Sequence, residues 1–130
     1  WNGDDPVAAM EPVITKDQII WMQDRLEEVY VHDSILKYVS SMVRATREHY
    51  AAEVGSSPRG GLALLKLSRA HAAVMGRDFV IPDDVKLFAH EALDHRIVLG
   101  MEYELEEKMS SRVVVDEVLK GTEVPKNYRP

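Results

Sequence analysis

No cysteine occurs in these 130 residues, which excludes a disulfide scaffold, a thiol nucleophile and a thiolate zinc site. No run of 18 apolar residues occurs either, so no segment is expected to span a membrane. The first residues, Trp-Asn-Gly-Asp-Asp-Pro, are acidic and lack the basic start and apolar stretch of a secretory leader, which makes a cytoplasmic protein the expectation. Positive charge is short as well: 16 basic residues face 22 acidic ones, for a net charge of −6. Phosphate neutralisation dominates nucleic-acid affinity, so this balance argues against a general DNA or RNA binder. The chain also contains no Gly-x-x-x-x-Gly-Lys-[Ser/Thr] loop, no Gly-x-Gly-x-x-Gly fingerprint and no Gly-x-Ser-x-Gly elbow. Any nucleotide it touches must be held mostly by another domain.

The charge deficit is uneven. Residues 1–55 carry 5 basic and 10 acidic groups and residues 100–130 carry 5 and 7, whereas residues 56–99 carry 6 and 5. A small anion could be accommodated in that middle segment. Apolar residues make up 45% and charged residues 29%, an ordinary globular composition for one domain.

Helical periodicity organises most of the chain. Residues 1–14, with Gly3, Pro6 and Pro12, read as a linker. Thr15 and Gln18 form a capping-box pattern ahead of Ile19, Met22, Leu26 and Val29, which predicts a helix over about 16–28. Asp33 or Ser34 caps a second helix whose face runs through Ile35, Val39, Met42 and Thr46. Ser57 followed by Pro58 gives the strongest start signal, for a third helix over about 58–75. That helix is apolar nearly all round, so a central position is expected for it, and Leu65 is expected inside. Gly76 stops it, and Pro82 opens a fourth helix with Asp83 and Asp84 in its first turn. Val29–His32 and Asp78–Ile81 are short strand candidates and each other's expected partners. Residues 96–105 favour a short strand weakly, because Met101, Tyr103 and Leu105 alternate with glutamates. A last helix starts at Ser110 or Ser111 and stops at Gly121, leaving 122–130 as a tail. The expected fold is mainly α: a helical bundle of about five helices over 15–121, with at most a short two-stranded β element.

Gly55-Ser56-Ser57-Pro58-Arg59-Gly60-Gly61 is the candidate site. A helix N-terminus presents free amides and about half a positive charge, which suits a phosphate. Arg59 lies in the first turn, where it opposes the helix dipole and where its planar fork can hold phosphate oxygens. Ser57, Pro58, Arg59 and Gly60 are the candidate binding residues. The competing account is a capped helix whose arginine pairs with a surface carboxylate. His90-Glu91-Ala92-Leu93-Asp94-His95 does not make a zinc motif: a zincin needs histidines four apart, and His95 stands about 140° around the helix from His90. A His90–Asp94 pair is possible, and no metal site is expected. Asp83/Asp84 and Glu106/Glu107 have a sufficient explanation as capping or solvated charge. His71, on a nearly apolar helix, is expected to be a hydrogen-bonded core residue.

Three motifs in this order and spacing resemble the C-terminal lid of MoxR-type AAA+ ATPases. They are Gly-Ser-Ser-Pro-Arg-Gly-Gly-Leu-Ala-Leu-Leu at 55–65, Gly-Arg-Asp-Phe-Val-Ile-Pro-Asp-Asp-Val at 76–85 and His-Arg-Ile at 95–97. The likeness extends to Val-Tyr-Val-His at 29–32 and Val-Arg-Ala-Thr-Arg at 43–47, and covers about residues 12–121. The resemblance implies that Arg59 is the sensor-2 residue, which contacts the γ-phosphate of ATP. ATP and its Mg would be held by an AAA+ core domain of the same protein. It further implies a ring of neighbouring subunits, a hexamer in full length, and chaperone-like remodelling or metal-cofactor insertion in a partner, with von Willebrand factor A domain proteins among the partners. Gly60 and Gly61 stand where the family has alanine and another small residue, and Ile81 stands where it has threonine. Walker A, Walker B, sensor 1 and the arginine finger are not in these residues, so this chain by itself is expected to be inactive. The alternative is a free-standing helical protein-interaction module with no nucleotide role.

Overall fold

A helix can begin only where its first amides find acceptors or are absent. The computed structural model, which describes residues 7 and 9–130, shows how each start is met. Helix α1 (Lys16–Arg25) carries the expected capping box: Gln18 N–H donates to Thr15 Oγ1 at 3.2 Å and Thr15 N–H to Gln18 Oε1 at 2.7 Å. Helix α2 (Asp33–Glu48) starts one residue earlier than expected. Its cap is neither Asp33 nor Ser34 but His32, whose Nδ1 accepts from Ser34 N–H at 3.1 Å. Asp33 instead sits in the first turn, where a carboxylate complements the dipole. Helix α3 (Pro58–Val74) ends at Gly76, whose φ of 71° continues the chain left-handed. Gly76 N–H then reaches Ala73 O at 2.9 Å and Arg77 N–H reaches Ala72 O at 2.8 Å, closing the last turn.

The expected fourth helix is two: α4 (Pro82–Leu87) and α5 (Ala89–Leu93), broken at Phe88 and prolonged by a 3₁₀ turn at Asp94–Arg96. At the break the Phe88 ring stands edge-on to His71, with centroids 5.7 Å apart. The β element is also displaced. Strand β1 (Ala52–Val54) pairs antiparallel with β2 (Val98–Leu99), Ala52 opposite Leu99. The expected pairing of 29–32 with 78–81 shrinks to one parallel bridge, Tyr30 with Phe79. Residues 96–105 do hold a short strand, at Val98–Leu99, but Met101–Glu104, where the alternation lies, forms a single helical turn, α6. Three alternations are too few to set a period, and glutamates and methionine favour helix. Helix α7 (Ser111–Gly121) is capped by Ser110, and Gly121 is its last residue rather than the first beyond it.

α2 packs against both α3 and α7, and α3 against α4 and α5. The buried face of α2 runs Ile35, Tyr38, Val39, Met42, Val43, Thr46, and α7 contributes Val114, Val115 and Val118. α3 is not buried all round. Its inner stripe is Gly60, Leu64, Ser68 and Ala72, every fourth residue, while Leu62 and Val74 are exposed and Leu65 is half-buried. Three of those four positions carry small side chains, Gly60, Ser68 and Ala72. α1 buries none of its residues. The expected linker lies partly outside the described residues, and residues 9–14 are exposed. The expected tail lies against α2: Ser34 Oγ donates to Asn127 O at 2.6 Å and Tyr128 packs on the core. No helix among the described residues is long and apolar enough to cross a membrane.

One carboxylate ties this packing together. Asp84 is 1% exposed and accepts four bonds: from Arg77 Nη2 at 2.6 Å and Nη1 at 2.8 Å, from Ile81 N–H at 2.9 Å, and from His71 Nδ1 at 2.6 Å. It thereby joins α3, the turn after it and the first turn of α4, which is far more than a solvated cap. His71 is, as expected, hydrogen-bonded against the core. Burial pushes the Asp84 carboxyl up, but the bonds from Arg77, the Ile81 amide and His71 outweigh it and hold the group below its ordinary value. The folded state therefore favours the ionised form. Its contribution is complete above the ordinary aspartate pKa, near 4, and is lost as pH falls through the lower folded-state value. Asp84→Asn should cost about 3 kcal/mol in urea unfolding at pH 7, and the gap to wild type should narrow below about pH 4; a gap constant to about pH 2 would exclude the carboxylate as its origin. In the same assay Leu64→Ala should cost about 2–5 kcal/mol and Leu62→Ala within about 0.5 kcal/mol.

Candidate functional site

The first turn of α3 is aimed by the loop before it. Gly55 lies flat on the last turn of α2, and a Cβ built there would stand 2.5 Å from both N and Cα of Arg47. Backbone cannot yield as a side chain can, so only glycine fits. Ser56 follows, fully buried, and its N–H donates to Thr46 Oγ1 at 2.9 Å. Thr46 passes its own proton to Val43 O at 2.7 Å, and Arg47 Nε donates to Ser56 O at 2.7 Å. Gly55 and Ser56 are thus held by the C-terminal turn of α2, and the direction of α3 is set before its first residue.

The candidate residues then separate. Ser57 occupies the N-cap with extended backbone, yet its hydroxyl makes no cap, contrary to expectation. The first-turn amides of α3 are left without a side-chain acceptor. Pro58 fills the first helical position and is exposed. Arg59 is exposed and, among the described residues, has no carboxylate or carbonyl partner. The account in which it pairs with a surface carboxylate therefore has no observed pair behind it. Gly60 behaves differently: it is buried, its N–H donates to Ser57 O at 2.9 Å, and a Cβ on it would run into Ser56 Oγ and sit 3.1 Å from Arg96 Cδ. Its part is close packing, with its amide already engaged.

Arg47 and Arg96 are residues that position the site and that periodicity alone did not single out. Arg47 anchors the loop, and the Arg96 stem packs on the α3 start while its Nε donates to Ala92 O at 2.9 Å. The only signal for either was its place inside the resembling segments 43–47 and 95–97. The expected His90–Asp94 pair is present, Nδ1 to Oδ1 at 3.0 Å, and Asp116 meets Nε2 at 3.2 Å from α7. That imidazole bridges α5 to α7. Among the described residues no group of three His, Asp or Glu side chains is placed to hold a metal ion.

An exposed arginine on the first turn of a rigidly held helix start fits a phosphate group. Comparison with known proteins shows the family. The AAA lid domain family matches residues 44–118. The uncharacterised protein YeaC of Bacillus subtilis is 38% identical over 92% of this chain and 37% of its own length. Chaperone MoxR1 of Mycobacterium tuberculosis is 31% identical over 95% of this chain and 34% of its own. A crystal structure of a protein from Cytophaga hutchinsonii, provisionally described as an ATPase, superposes with a TM-score of 0.83 at 27% identity, covering 92% of this chain and 41% of that one. The chain spans about a third of the length of the curated relatives YeaC and MoxR1. If the loop is the device that aims the site, Gly55→Ala should lower stability to urea by about 3 kcal/mol. Gly121→Ala, where a Cβ meets nothing within 4 Å, should raise it by about 0.5 kcal/mol. Equal effects of the two would remove the clamp from the account.

Proposed function

Since the chain belongs to the AAA lid domain family, in the form carried by MoxR-type AAA+ ATPases, we propose that it closes over ATP bound by a catalytic core of the same polypeptide. The observation that carries this reading is Arg59: exposed, free of any counter-ion among the described residues, and mounted on a helix start that α2 holds in place. In the closed state Arg59 meets the γ-phosphate, and the positive end of the α3 dipole lies nearby. ATP and Mg supply the transferable phosphoryl group and its charge neutralisation. This chain supplies one positioned cation and covers the site from water. Closure then depends on whether the γ-phosphate is present, because that group gives Arg59 a partner it otherwise lacks.

The rest of the reading concerns the longer protein. Ring assembly is common to AAA+ proteins, and a hexamer is the form proposed here. MoxR1 carries the name chaperone, and remodelling of a partner protein, with metal-cofactor insertion or a von Willebrand factor A domain partner as specific versions, is the corresponding proposal. The test uses the full-length polypeptide. Arg59→Ala should reduce ATP hydrolysis by about 100-fold, the effect of removing one positioned donor, with nucleotide affinity changed much less. Hydrolysis at the wild-type rate would overturn the assignment and leave a helical interaction module in its place.

A further inference from the structure

The C-terminal segment crosses α2 as a strap, and the cavity beneath it has no role in the reading above. Two pins hold the strap. At one end Thr122 N–H and Oγ1 both donate to Val118 O, at 3.0 and 2.7 Å. At the other, Ser34 Oγ donates to Asn127 O at 2.6 Å and Tyr128 packs on the core. Residues 123–126 span the distance between the pins with no backbone hydrogen bond. The cavity under them has a volume of about 710 Å³, the size of a site for a small organic molecule rather than a bare ion.

Charge is sorted along this cavity. Lys37, Ser41 and Arg44 stand at four- and three-residue spacing on one face of α2, and Lys126 lines the cavity from the strap. Among the described residues none of these three cations has a carboxylate partner. Glu48 and Glu123 also line the cavity, at its other end. From Lys37 to Glu48 the helix rises about 16 Å, and Thr122, next to Glu123, shares a neighbouring hollow with Glu48. The floor holds Tyr38, 3% exposed, whose hydroxyl is buried without a hydrogen-bond partner. The Lys86–Asp83 pair of α4 acts on this phenol without bonding to it. A buried hydroxyl lacking an acceptor is a standing cost, and so are cations gathered without a counter-ion. One anion entering the cavity relieves both.

We propose that the cavity between α2 and the C-terminal strap binds a sugar phosphate. The phosphate sits between Lys37 and Lys126, with Tyr38 and Ser41 donating to its oxygens. The sugar lies along α2, its hydroxyls toward Glu48 and Glu123. Each end of such a ligand meets the chemistry it needs: phosphate oxygens accept from cations and hydroxyls, and sugar O–H groups donate to carboxylates. No residue of the α3 first turn lines this cavity, so the proposal does not rest on the part given to Arg59.

Amide NMR titration of this chain with glucose 6-phosphate, inorganic phosphate and glucose tests the proposal. Glucose 6-phosphate should shift residues 34–45 and 121–127, with a Kd of about 0.1–1 mM. Inorganic phosphate should shift the same residues with about tenfold weaker affinity, and glucose should not saturate by about 10 mM. Lys37→Gln and Lys126→Gln should each weaken binding of glucose 6-phosphate about tenfold. Tyr38→Phe, which keeps the ring, should weaken it about fivefold. Lys66→Gln removes an exposed cation of α3 outside the cavity and should change nothing. Three results overturn the proposal: no shift at about 10 mM glucose 6-phosphate, shifts confined to residues 57–62, or equal losses from Lys66→Gln and Lys37→Gln. The second would place the phosphate at the start of α3, and the third would make binding a matter of net charge. Equal affinity for phosphate and glucose 6-phosphate would overturn the sugar assignment.

Discussion

The contact of a bare Cα with a helix backbone governs this molecule. Gly55 rests on the N and Cα of Arg47 where any side chain would collide, and that approach places Ser56 within reach of Thr46 Oγ1 and of the Arg47 guanidinium. Loop and helix are locked by two hydrogen bonds and one missing methyl group. The direction of α3 follows, and with it the exposure of Arg59 and the burial of Gly60. Residues far apart in function are in this sense one device. Thr46 is a buried hydroxyl in the middle of an apolar face, tolerated because both its donor and its acceptor roles are filled.

A second constraint secures the other end of α3. Asp84 is a buried charge, and such charges persist only when partners replace the water they lose. Arg77, His71 and the Ile81 amide do so. The Gly-Arg-Asp-Phe-Val-Ile-Pro-Asp-Asp-Val segment thus has a structural reading: Gly76 turns the chain, Arg77 brings the guanidinium back, and Asp84 receives it while capping α4 through Ile81 N–H. His-Arg-Ile at 95–97 has one as well, since Arg96 packs on the α3 start. The segments that carry the family likeness are the ones that hold α3 at both ends.

Charge is distributed in keeping with that division. α3 has no acidic residue, whereas Asp17 and Asp24 lie on α1 and Glu27 and Glu28 directly follow it, so charge is unevenly spread despite an ordinary composition. Exposed Trp21 lies on α1 and exposed Leu62 on α3.

The amino-acid sequence by itself determined the helices with strong local signals. The Thr15–Gln18 box, Pro58 and Pro82 as first residues, Gly76 as a stop and Ser110 as a cap are all interactions within four residues, legible because both partners are neighbours in the chain. It also singled out Arg59, whose oddness is local: a cation at the positive end of a dipole. Tertiary structure decided what depends on residues far apart. The β pair moved to Ala52–Val54 and Val98–Leu99, and burial fell on Gly60, Leu64, Ser68 and Ala72 instead of on the whole of α3. Asp84, read as a cap, became the centre of an ion network because His71 lies 13 positions away in the chain and beside it in space. The periodicity of a helix states which residues share a face. Which face is buried is settled only when a neighbour closes upon it.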